Sequence, residues 1–90
     1  MSYTVVWTPS AEAELADIWL AAEDRDAITS ASRIADKLLR DDPHSQGESR
    51  EGATRITFVA PLALQFEIVE ANRSVCVLAL RLVRRRGPES

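Results

Sequence analysis

Apolar and polar positions change their period along this chain, and the changes mark its elements. Tyr3, Val5 and Trp7 fall on one face of a period-two segment, with Thr4 and Val6 on the other; all five favour extended backbone, so a first strand is expected here. The period switches at Thr8-Pro9, where Thr8 suits a helix N-cap and Pro9 a first helical position. Glu12 and Glu14 follow in the opening turns, where the helix dipole favours acids. Ala11, Leu15, Ile18, Trp19 and Ala22 then recur at helical spacing, which places Trp19 in the core-facing stripe of an amphipathic helix. Glu23-Asp24-Arg25-Asp26 breaks that stripe and supplies capping carboxylates for a second helix. Its own stripe is Ala27, Ile28, Ala31, Ile34, Ala35, Leu38 and Leu39, and it ends at Asp42-Pro43.

Residues 43–52 form a polar, glycine-bearing connection, after which period two returns in three runs: Thr54–Val59, Leu62–Val69 and Val75–Val83. The joints at Ala60-Pro61 and Glu70–Ser74 are too short for a helix, so the runs read as an antiparallel meander. Two tightly connected helices must bury their stripes, and in a short chain the partner large enough is a sheet face. The expectation is one α+β domain spanning residues 1–90, in the order β-α-α-β-β-β, with a helical hairpin packed on one face of a mainly antiparallel sheet. Alternation sets Ile56 and Phe58 against Arg55 and Thr57, and Leu64, Phe66 and Ile68 against Gln65 and Glu67. In the last run Cys76, Leu78, Leu80 and Leu82 oppose Val75, Val77, Ala79, Arg81 and Val83; both faces are largely apolar, which suits a strand inside the sheet. Arg55, Gln65, Glu67 and Arg81 are thus expected on one polar surface, opposite the helices.

Composition adds limits rather than a function. A hydrophobic fraction of 46% beside 28% charged residues is that of a folded globular protein, not a disordered one. Ninety residues leave a thin stability margin, so a partner can matter to the fold. The lone Cys76 lies in a strand pattern, reads as a small buried apolar residue, and fits a reducing cytoplasm. The chain opens without a basic, then apolar, leader, and no stretch approaches the ~20 apolar residues of a membrane helix.

The net charge of −3 conceals an asymmetry: residues 1–42 hold nine acids against four bases, and residues 43–90 five acids against seven arginines. Arg50, Arg55, Arg73, Arg81, Arg84, Arg85 and Arg86 concentrate positive charge in the meander half, which suits an acidic or phosphate-rich partner or simply a solvated basic tail. Residues 84–90 are expected to be flexible. There is no glycine-rich phosphate loop, no Cys/His metal spacing, and no serine or cysteine nucleophile with an evident base. No cofactor or metal is expected. His44, the single histidine, is a candidate general base or a solvated loop residue.

Residues 3–19, Tyr-Thr-Val-Val-Trp-Thr-Pro-Ser-Ala-Glu-Ala-Glu-Leu-Ala-Asp-Ile-Trp, resemble the opening of RelE/ParE-type toxins of bacterial type II toxin–antitoxin modules. The likeness continues through Leu39–Pro43, Gly47–Gly52, Arg55, Ala60-Pro61-Leu62 and Val75–Leu82, and so covers nearly the whole chain. It implies a cytoplasmic toxin neutralised by a cognate antitoxin, with oligomers formed mainly through that antitoxin, and with DNA gyrase or the ribosome and its mRNA as target. For members that cut mRNA, the site must deprotonate a ribose 2′-hydroxyl, stabilise a pentacoordinate phosphate and protonate the leaving oxygen. Arg55 and Arg81 match the basic strand positions of such members, with His44 or Glu48 as base and Arg50, Arg84, Arg85 and Arg86 as phosphate or target contacts. The chain departs from that pattern at Gln65 and Glu67, where a basic residue is expected, and in its C-terminal end, which holds neither tyrosine nor histidine. The departures favour ParE-like inhibition of gyrase over a metal-independent, ribosome-dependent endoribonuclease. A non-toxic interaction domain with the same fold is the third reading.

Overall fold

The computed structural model describes residues 2–49 and 54–83. Its elements follow the expected order, with one short strand added. They are β1 (Thr4–Trp7), α1 (Pro9–Ala21), α2 (Arg25–Asp41), a 3-10 turn at Pro43–Ser45, the two-residue β2 (Glu48–Ser49), β3 (Thr54–Val59), β4 (Leu62–Val69), a 3-10 turn at Glu70–Asn72, and β5 (Ser74–Leu82). The strands form one mixed sheet in the order β1, β5, β4, β3, β2. β1 runs parallel to β5 and every other pairing is antiparallel.

Local chemistry accounts for the helix limits. Thr8 Oγ1 accepts the Ala11 amide at 3.1 Å, with Pro9 beginning α1, and Asp24 Oδ1 accepts the Ala27 amide at 3.1 Å to begin α2. Arg25 closes α1 from the next helix: its guanidinium donates to the carbonyls of Trp19 and Leu20, both at 3.0 Å, and stacks 4.5 Å from the centre of the Trp19 ring. Trp19 itself is 39% exposed, outside the core that helical spacing predicts for it. The reason is geometric. The pair α1 and α2 rests on the sheet through Ala11, Ile28, Ala31, Ala35 and Leu39, and Trp19 lies on the outer groove between the helices, where its indole donates to Thr29. Ile34, also in the predicted stripe, is half exposed.

The sheet contributes Leu62, Leu64, Phe66, Val75, Val77 and Leu80 to the core, all buried beneath the helices. Gly47 fixes the approach to β2. Its φ is +69°, and a Cβ there would lie 2.0 Å from the Ile56 carbonyl oxygen, so only glycine fits. Among the described residues the other face of the sheet carries no helix.

Candidate functional site

Two strand registers decide which side chains reach that open face. In β3, Arg55 pairs with Phe66, Thr57 with Leu64 and Val59 with Leu62, so Arg55 and Thr57 turn toward the helices, and Thr57 is buried. Ile56 and Phe58 therefore point outward, and Phe58 is 66% exposed. In β5, Val77 pairs with Phe66 but Ala79 pairs with Gln65, which leaves Leu78 as an extra residue in a bulge. The bulge changes the phase of the strand. Val75 and Val77 face the core before it and Leu80 does so after it, while Cys76, Ala79 and Arg81 look outward. Cys76 is partly exposed rather than buried.

The expected common surface of Arg55, Gln65, Glu67 and Arg81 is thus corrected. Gln65, Glu67 and Arg81 share the open face, but Arg55 is on the helix side of the sheet. There its Nη2 donates to the His44 carbonyl at 3.1 Å and its Nε to the Gln46 carbonyl at 3.3 Å, so the guanidinium braces the connection that follows α2. His44 is exposed beside Glu70 in the β4–β5 turn, close to Tyr3 and away from Arg81. The structure brings Arg55 and His44 together through a backbone carbonyl and sets Arg81 apart from both. Arg50, Arg84, Arg85, Arg86 and the tail 84–90 lie outside the described residues.

Arg81 stands at the rim of a shallow hollow of about 340 Å³ on the open face, walled by Ile56, Phe58, Ala63, Ala79 and Val83. Among the described residues its guanidinium makes no hydrogen bond or ion pair. The edge of the hollow is finished by Glu14 of α1, whose Oε1 accepts the Leu80 amide at 2.7 Å. β1 ends opposite Val77, so this N–H on the outer edge of β5 has no strand to pair with, and the carboxylate takes the strand's place. A second, more apolar groove of about 390 Å³ runs between the helices past Leu15, Ala16, Trp19, Leu20 and Ile28.

The titratable groups of the molecule gather elsewhere, at the end of the sheet where β1 and β5 begin. Tyr3 Oη donates to Glu70 Oε2 at 3.0 Å, and His44 Nε2 contacts the same oxygen. These contacts, the imidazole first and the hydroxyl second, hold the Glu70 carboxyl below the usual carboxylate range. Partial burial, then the hydrogen bond to Glu70, pushes the Tyr3 hydroxyl above its ordinary value. Tyr3 and Glu70 are 67 positions apart and carry no shared motif, so nothing in the sequence joins them. Among the described residues no three His, Cys, Asp or Glu side chains are grouped to hold a metal ion, and no helix is long and apolar enough to cross a membrane.

This fold recurs in solved structures. A chain of the toxin–antitoxin complex RelBE2 from Mycobacterium tuberculosis superposes with a TM-score of 0.73 at 19% identity, covering 91% of this chain and 92% of its own. The chain has the RelE/ParE-type toxin fold. The chromosomal ParDE system from P. aeruginosa shares that fold at a TM-score of 0.66 and 17% identity over 91% of this chain and 97% of its own. The intact E. coli RelBE toxin–antitoxin complex does so at 0.67 and 13% identity, over 92% and 99%. No protein-family model matches the chain and no curated protein matches it in sequence.

Proposed function

We propose that this chain is the toxin of a type II toxin–antitoxin module, neutralised in the cytoplasm by a cognate antitoxin that also mediates its oligomers. The observation that carries the reading is an uncovered sheet face, apolar at Phe58 and Ile56 and cationic at Arg81, on a fold whose solved relatives are toxin–antitoxin complexes. An otherwise disordered, partly apolar antitoxin segment would gain most of its binding energy there by covering Phe58, and would continue into the groove beside Trp19 and Leu20.

For the target, ParE-like inhibition of DNA gyrase is the better supported reading. The two arginines nominated for phosphate stabilisation, Arg55 and Arg81, project from opposite faces of the sheet, and Arg55 is engaged with the carbonyls of His44 and Gln46. Such a layout favours a reading in which these two arginines do not share one scissile phosphate. The test is supercoiling by purified gyrase in the presence of this protein. Inhibition supports the reading; unhindered supercoiling, together with cut messenger when the protein meets translating ribosomes, would replace it with the endoribonuclease, and Arg81→Ala should then abolish cutting.

A further inference from the structure

We propose that His44, Glu70 and Tyr3 form a protonation-dependent clasp that closes the segment after α2 onto the β4–β5 turn and thereby fixes the seat of Arg55. Three separate parts of the chain meet at the Glu70 carboxylate: the turn that carries it, the beginning of β1 through the Tyr3 hydroxyl, and the Pro43–Ser45 turn through His44 Nε2. The Tyr3 and His44 rings meet edge-on, with centroids 6.0 Å apart and planes at 74°. Pro43 is buried and anchors one end of the segment, while the carbonyls of His44 and Gln46 hold the Arg55 guanidinium at the other. A shift of the backbone at residues 43–46 therefore moves two of the acceptors that orient Arg55.

Charge decides when the clasp is closed. Glu70 of the turn and Tyr3 from the start of β1 face His44, with Arg55 of β3 on its backbone side; Arg73 and Asp42 stand beside Tyr3 at the edge of the same cluster. Glu70 keeps its charge throughout the neutral range and Tyr3 keeps its proton there. Histidine is the side chain that changes charge between pH 5 and 8, and the contact with Glu70 is an ion pair only with the imidazole protonated. Closure is thus favoured on the acid side of that interval and relaxed on the basic side. Both partners are more than half exposed, so the effect on the closing equilibrium is small, up to about fivefold, and is screened by salt.

The experiment is an NMR pH titration of the intact protein from pH 5 to 8, following the His44 ring protons and the exchange protection of the Ser45 and Gln46 amides, which bond to the Asp42 and Pro43 carbonyls. The wild type should show protection rising up to about fivefold on the acid side, with the midpoint of the ring titration. Glu70→Gln and His44→Gln should each remove the protection step. High salt should shrink the step in the wild type without any substitution. A protection step that persists in Glu70→Gln, no response of the wild-type step to salt, or protection that ignores pH would each overturn the clasp.

Discussion

Glu14 is polar, lies in the first turns of α1, and does the work of a missing strand by accepting the Leu80 amide. Removing that acceptor leaves a partly buried N–H without a partner, so Glu14→Ala should cost about 1–3 kcal/mol in urea unfolding. Glu14→Gln, which keeps a side-chain oxygen, should recover most of the loss; equal costs for the two would assign the effect to helix packing instead. Glu70 and Asp41 set the acid limb of stability. The His44 and Tyr3 contacts hold Glu70 low, and the Lys37 hydrogen bond does the same for Asp41. A carboxyl lowered on folding stabilises the native state above its unfolded pKa, and the benefit disappears as the pH falls through the folded one. Stability should therefore drop as the pH falls through and below the usual carboxylate range, and Glu70→Gln should make that drop shallower in a series of melting curves. An unaltered acid limb in Glu70→Gln would show that the cluster contributes nothing to folding.

At the scale of elements, the two phenylalanines have opposite roles although each sits in an alternating strand. Phe66 is fully buried under the helices and Phe58 is exposed on the far side. Phe66→Ala should cost about 3–5 kcal/mol, close to the whole stability of a small domain, whereas Phe58→Ala should leave the melting temperature nearly unchanged. Their sequence contexts explain what could be read in advance. Helix starts were legible because Thr8-Pro9 and Asp24 are specific capping signals, and the succession of elements along the chain, though not their order in the sheet, followed from clear breaks at Pro43, Pro61 and the Glu70–Ser74 turn. The orientation of β3 was not legible: its two faces offer Ile56 and Phe58 against Arg55 and Thr57, and burial of an arginine-bearing face is apparent only when the carbonyls of His44 and Gln46 are in place. The bulge at Leu78 was hidden for a related reason. With apolar residues on both sides of β5 from Val75 to Ala79, either phase satisfies the pattern, and only the pairing with β4 selects one.

At the scale of the whole molecule, one face of the sheet is sealed by α1 and α2 and the other is left with Phe58, Ile56, Val83 and an Arg81 that is unpaired among the described residues. An open face of this kind is costly in a domain of ninety residues unless something covers it for part of its life. The Tyr3–Glu70–His44 cluster lies at the other end of the strands, so regulation of the Arg55 segment and occupation of the open face need not compete. Induced expression in bacteria, alone and together with the product of the adjacent reading frame, tests the central claim most directly. Growth arrest is expected with the chain alone and recovery with the partner, with recovery lost when Phe58→Ala weakens their association. Normal growth at confirmed soluble expression of the chain alone would contradict it.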